Sequence, residues 1–196
     1  MVGRYFDEME RALRELSRDD VRRIAGALFD AWRWDKTIWL IGNGGSAATA
    51  SHMMNDLCKC TLIEGQPRLR AMALNNVSML TAIANDMEYA EVFVEQLRTH
   101  LRRGDVVLAL SGSGNSQNVL RAIAYAKEAG ALTIGLCGNP GGALAKTADL
   151  RVLFPAERIG QQEDGHMMVG HAIVLELRER IGLHAVRTAN TSAVAG

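Results

Sequence analysis

The sequence predicts a doubly wound α/β fold: a five-stranded parallel sheet flanked by helices, a three-layer sandwich of the flavodoxin-like kind. Three observations predict it. Short apolar runs rich in β-branched residues alternate with segments of helical period. Most of these runs are apolar at every position, as strands buried on both faces must be. Two of them, "TIWLIG" and "DVVLALS", pass straight into Gly/Ser loops that open a helical pattern.

Residues 3–33 carry Phe6, Met9, Leu13, Leu16, Val21, Ile24, Leu28 and Trp32 at spacings that mark an amphipathic helical segment. An interruption is expected near Ser17, which can cap the second half. Strands are expected at 37–42, 70–75, 105–111, 132–138 and 150–155, the last ended by Pro155. Helices are expected at 46–58, 77–84, 91–101, 116–128, 142–147 and 163–180. "RTANTSAVAG" has no periodicity, so residues 186–196 are expected as a loose tail after one domain spanning 1–185. Trp32, Trp34 and Trp39 are expected to anchor the N-terminal helices to the sheet.

Composition narrows the partners. Twenty-two basic residues balance twenty-two acidic ones, which gives no electrostatic reason to expect nucleic acid or an anionic membrane surface. No apolar run approaches the roughly eighteen residues of a membrane span. The charged N-terminus "MVGRYFDEMERALREL" has no signal-peptide core. Three cysteines, Cys58, Cys60 and Cys137, lack framework or zinc-knuckle spacing and read as reduced thiols of a cytoplasmic protein.

In open α/β sheets ligands sit beyond the carboxyl ends of the strands, where free N–H groups and the helix dipole attract anions. One loop there offers Gly42, Asn43, Gly44, Gly45 and Ser46; the other offers Ser111, Gly112, Ser113, Gly114, Asn115 and Ser116. The hydroxyls of Ser111, Ser113 and Ser116 on one turn suit a phosphate, which needs several converging donors. A dinucleotide reading competes: residues 42–47 fit G-x-G-x-x-A, and Glu64 follows at a plausible distance. A dinucleotide fold, however, gives no reason for the serine-dense second loop.

"IGNGGSAATASHMMNDL", "AIANDMEYAEVF", "LSGSGNSQNVLRAI" and "EDGHMMVGHAIVLEL" together resemble the sugar isomerase (SIS) domain, and more narrowly the phosphoheptose isomerases. The match runs in order over about residues 1–182. The resemblance implies interconversion of sedoheptulose 7-phosphate and a heptose 7-phosphate by a homotetramer with active sites between subunits, often with one zinc ion per subunit. It implies that Ser111, Ser113 and Ser116 grip the phosphate, with Asn43, Gly44 and Ser46 near the sugar. Asn85 and Asp86 match a loop that lines the pocket from the same or a neighbouring subunit. His52 and Asp56 match a first metal or acid–base pair, Glu163 and His171 a second. Three positions depart from the family: Asp56 stands where glutamate is typical, Glu163 where glutamine is common, and Gly112 where threonine is usual.

His52 and Asp56 are four apart and face one side of their helix. Glu163 and His171 are eight apart, close enough in angle to share a face, and His166 lies about 60° round from Glu163. Two imidazoles and two carboxylates could hold Zn²⁺. Isomerisation needs a group that moves a proton between C1 and C2 and one that stabilises the developing oxyanion. Asp56 and His171 are the expected acid–base couple, either being the base, and this role competes with tight metal ligation. The alternatives are an isomerase of a longer ketose phosphate such as an octulose phosphate, and a non-catalytic tetrameric regulator binding a protein partner such as DnaA. Met53, Met54, Met167 and Met168 read as packing, and Arg68 and Arg70 as solvated surface.

Overall fold

The computed structural model describes the backbone of residues 1–194 and side chains through residue 188. Five strands, β1 (Thr37–Gly42), β2 (Arg70–Ala73), β3 (Val106–Ser111), β4 (Leu132–Gly138) and β5 (Leu150–Phe154), form one sheet in the order β2-β1-β3-β4-β5, every pair parallel. This is the expected α/β class. Around it stand α1 (Val2–Glu15), α2 (Arg18–Arg33), α3 (Gly45–Lys59), α4 (Val77–Asp86), α5 (Val94–His100), α6 (Gln117–Glu128), α7 (Leu144–Thr147) and α8 (Ile159–Val194).

Alternation along each strand divides the core into two layers. Ile38, Leu40, Val106, Leu108, Leu110, Ile134 and Leu136 pack with α2, α3 and α8 on one face. Trp39, Ile41, Val107, Ala109 and Cys137 pack with α5, α6 and α7 on the other. The chain therefore leaves β1 for one face and β3 for the opposite face. β1 and β3 are neighbours, with Gly42 level with Leu110, so the loops that follow them diverge and open a crevice between.

Ser17 caps α2 as its position suggested, its hydroxyl accepting from the Asp20 N–H. Differences lie mainly at helix ends. The helix expected over 91–101 begins as a separate 3₁₀ turn, Tyr89–Glu91, before α5. α8 is much longer than 163–180, and residues 186–194, expected as loose tail, continue it; residues 195 and 196 lie outside the described residues. Packing beyond residue 180 explains the extension: Ile181 is fully buried, and the His184 ring meets Trp32 and Phe29 edge-on at 5.5 and 6.0 Å between centroids. Trp32 does anchor α2, donating to the Pro67 carbonyl at 2.9 Å. Trp34 does not, being exposed at the end of α2, and Trp39 faces the opposite layer, stacked on His100.

α1 docks on the start of α8 through polar groups. Glu8 accepts from Arg158 Nε at 3.0 Å, from Gln161 Nε2 at 3.0 Å and from Arg4 Nε at 2.8 Å, while the Tyr5 hydroxyl meets Asp164. Arg158, then Gln161 and Arg4, hold the Glu8 carboxyl well below its ordinary 4.5, at about 2. A depressed acid favours the folded state above its unfolded pKa and loses that contribution as pH falls toward the folded one. The protection of α1 amides, measured relative to intrinsic exchange at each pH, is thus expected to fall between pH 4.5 and 2. Glu8→Gln removes this pH-dependent step; an unchanged profile in the variant contradicts the assignment.

Candidate active site

The two Gly/Ser loops face each other across the crevice and are tied by an amide pair. Asn43 Nδ2 donates to Asn118 Oδ1 at 2.9 Å, and Asn118 Nδ2 donates back to Asn43 Oδ1 at 2.8 Å. The Tyr89 hydroxyl donates to the same Asn43 oxygen at 2.9 Å. Asn43 is thereby fixed in orientation where β1 ends and α6 begins. Gly44, with φ of +53°, precedes α3 without a side-chain cap, so the first N–H groups of that helix are open to an anion.

In the second loop each serine keeps its hydroxyl proton for a ligand. Ser111 Oγ accepts from the Gly114 N–H at 3.1 Å, and Ser113 Oγ accepts from the Asn115 N–H at 3.2 Å. Ser116 precedes α6 but makes no capping bond, which leaves its hydroxyl beside the uncapped turn of a twelve-residue helix. Gly114 takes φ of +64° with its Cα against the Gly141 carbonyl; a Cβ there would overlap that carbonyl, and a D-like backbone would be forced on an L residue. The turn is held from behind as well, since Asn115 Oδ1 accepts from the Ala143 N–H at 3.0 Å. These hydroxyls and N–H groups make a preorganised cradle for a dianion.

α3 and α8 start at this same edge of the sheet and run side by side in parallel. Glu163 stands against Gly45, Met53 against Gly170, His52 against His171, and the Arg178 guanidinium donates to the Cys60 carbonyl at 3.0 Å. The third of these contacts is part of a polar cluster. His52 Nε2 and His171 Nε2 lie 3.0 Å apart, and Asp56 Oδ2 lies 3.2 Å from the first and 3.5 Å from the second. Two ring nitrogens at that distance cannot both present lone pairs, so they share a proton or a cation. Asp56 is mostly covered while the two rings are half exposed. Its other oxygen, Oδ1, accepts from Asn55 Nδ2 at 3.0 Å and from the Cys60 thiol at 3.7 Å, which turns Oδ2 toward the histidines.

Glu163 is not in this cluster. His52, Asp56 and His171 have ligand atoms within 4.8 Å of one another; the Glu163 carboxylate is instead at Gly45, where only the missing Cβ gives it room. The expected four-residue set reduces to three. Eight residues of helix rise about 12 Å, so Glu163 and His171 can face one way without meeting one ion. The position of Glu163 also distinguishes the loops: its carboxylate lies against Gly45 at the open turn of α3, which disfavours an anion there.

The remaining predicted residues separate. Ser46 is buried, its backbone within 2.9 Å of where a Gly42 Cβ would stand. Asn85 and Asp86 end α4, exposed and bonded to each other at 2.8 Å, and among the described residues no hydrogen bond ties their side chains to either loop. Glu64 lies in the turn before β2 and not at a strand end, so the dinucleotide reading lacks its acid. His166 is buried with neither ring nitrogen bonded to a partner, and burial lowers its pKa despite the neighbouring Cys137 backbone. It belongs to the packing side of its helix.

Sequence reasoning passed over Asn118, Tyr89 and Gln162. Asn118 carried a signal, an amide in the first turn of the helix opened by the serine loop; Tyr89 and Gln162 carried none that spacing could reveal.

The SIS domain family model matches residues 4–138. The phosphoheptose isomerase of Rhodospirillum rubrum is 42% identical over 154 residues, 78% of this chain and 81% of that protein. That of Aneurinibacillus thermoaerophilus is 33% identical, covering 82% of this chain and 81% of its own. The solved phosphoheptose isomerase GmhA from Neisseria gonorrhoeae superposes with a TM-score of 0.84 at 32% identity, over 91% of this chain and 97% of that one.

Proposed function

Because the chain belongs to the SIS-domain family and to its phosphoheptose isomerases, we propose that it isomerises sedoheptulose 7-phosphate to an aldoheptose 7-phosphate. It is a sugar-phosphate isomerase; the substrate and the residue roles are the proposal. One observation carries the reading. The Asn43–Asn118 pair ties the loop that opens α3 to the helix that the serine loop opens, and α3 carries His52 to the Asp56 and His171 cluster about 10 Å of helical rise beyond Gly45. That separation suits an open-chain seven-carbon sugar held by its far end.

In this reading Ser111, Ser113 and Ser116 bind the phosphate, and Asn43, Gly44 and Ser46 line the sugar path. Binding energy from the phosphate orients the distant carbonyl end. Asp56 takes a proton from C1 while His171 gives one to the C2 carbonyl oxygen, which produces the cis-enediol. Asp56 then returns its proton to C2, and the C1 hydroxyl gives its own to His171 as the aldehyde forms. The donors also fit zinc: two imidazoles and a carboxylate converge and leave a fourth position open. Bound by His52, Asp56 and His171, the metal would polarise the substrate oxygens.

The assembly proposed is a homotetramer with active sites between subunits. Met168, Leu175, Leu183 and Val186 expose an apolar stripe on α8, and a groove beside it is lined by Leu13, Leu16, Val21 and Ala172. A neighbouring subunit covering that face would close the half-exposed histidines off from water, and could bring Asn85 and Asp86 to the sugar. The free cysteines support a cytoplasmic enzyme, and no helix among the described residues is long and apolar enough to cross a membrane.

Incubation with sedoheptulose 7-phosphate in D₂O tests the reaction. The expected result is an aldose phosphate carrying deuterium at C2, seen by NMR. Turnover without solvent deuterium contradicts the enediol route, and turnover only of an eight-carbon ketose phosphate contradicts the substrate.

A further inference from the structure

One polar side chain is buried at the cradle with its carbonyl oxygen unpartnered. Gln162, near the start of α8, is 5% exposed. Its Nε2 donates to the Ala156 carbonyl at 2.8 Å, whereas Oε1 accepts from no group of the protein. That single bond fixes which end of the carboxamide is which. The group lies across the ends of β3 and β4. A Cβ on Gly112 would stand 2.7 Å from Oε1, and one on Gly138 would overlap the carboxamide itself. These two glycines are joined by the Gly138 N–H donating to the Gly112 carbonyl at 3.1 Å, so together they form a floor on which Gln162 rests.

Oε1 has no donor within the protein while the rest of its side chain is covered, so it is the end of Gln162 left to accept a hydrogen from a ligand. The ligand atom must be a donor. A phosphate ester near neutral pH is mostly a dianion with no proton to give, whereas the sugar hydroxyl on the carbon next to the ester oxygen has one. We infer that Gln162 is a further substrate-binding residue, accepting a hydrogen bond through Oε1 from the sugar hydroxyl that neighbours the phosphate ester. Gly112 then has a positive role: the absence of a side chain there admits the carboxamide to the cradle. The inference rests on the serine loop being the phosphate site.

Calorimetric binding of three ligands separates these claims: inorganic phosphate, sedoheptulose 7-phosphate, and its 6-deoxy counterpart, which lacks the neighbouring hydroxyl. Gln162→Met keeps length and bulk but loses the acceptor. It is expected to weaken sedoheptulose 7-phosphate about fivefold, the worth of one net hydrogen bond, and to leave inorganic phosphate unchanged. The unaltered protein is expected to bind the 6-deoxy ligand weaker by the same factor, with no further loss on Gln162→Met; this comparison needs no variant to fold. Equal loss for phosphate and sugar phosphate means that Gln162 only shapes the loop, and no loss for either means that it does not touch substrate; both overturn the inference. Ser113→Ala serves as the control: if it leaves inorganic phosphate binding intact, the reading of the loop fails, whatever Gln162 does.

Discussion

Replacing Asp56 with asparagine lowers kcat about a thousandfold, within the span usually lost with a general base, while KM moves little. The change is nearly isosteric and swaps Oδ2 for an amide that cannot accept the C1 proton. The geometry makes the effect specific: Oδ2 is the atom within 3.5 Å of both histidine nitrogens, and Oδ1 is already occupied by Asn55 and Cys60. The fold should not suffer, because Asp56 is a surface-groove residue on α3 and not part of either apolar layer. Steady-state kinetics, with deuterium incorporation at C2 measured in parallel, reads the result. A variant retaining a tenth or more of the original turnover shows that another group moves the proton.

Ser113→Ala combined with Ser116→Ala lowers kcat/KM by roughly two to four orders of magnitude, since hydrogen bonds to a charged group are worth about 1.5–3 kcal/mol each. Neither hydroxyl is bonded to anything beyond its own turn. Ser116 makes no capping bond to α6, and Ser113 only accepts from the next-but-one N–H within the same turn. Ser111 is different, because it is buried and braces Gly114, so its replacement would confound binding with loop geometry. Because the phosphate is remote from the reacting carbons, part of the loss should appear in kcat and not only in KM. The check is the kinetics of the double variant beside its thermal stability: full activity, or a loss matched by unfolding, contradicts the assignment.

The layers of this fold are legible because strand residues on both faces are apolar and because Gly/Ser clusters stop each strand sharply. "TIWLIG" and "LTIGLCG" coincide with β1 and β4 end to end. Helix ends are less legible. α8 runs past residue 180 because Trp32 and Phe29 on α2 receive His184, a tertiary contact that no local pattern announces. The candidate site divides in the same way. His52 and Asp56 share a helical turn, and spacing alone pairs them. Their meeting with His171 depends on α3 and α8 running parallel from the same sheet edge. The family resemblance grouped Glu163 with them, and a shared helical angle agreed without counting axial distance; the rise of the helix carries it instead to Gly45. Gln162 could not be singled out from composition or period, because its significance comes from two glycines on other elements that leave it room.

The account depends on one substrate reaching both the serine loop and the acid–base cluster. A crystal structure of the Asp56→Asn variant soaked with sedoheptulose 7-phosphate tests this directly. The account predicts the phosphate among the hydroxyls of Ser111, Ser113 and Ser116, with C1 and C2 in van der Waals contact with position 56 and His171, of the same or a neighbouring subunit. A phosphate bound elsewhere, or reacting carbons remote from every copy of that cluster in the assembly, contradicts it.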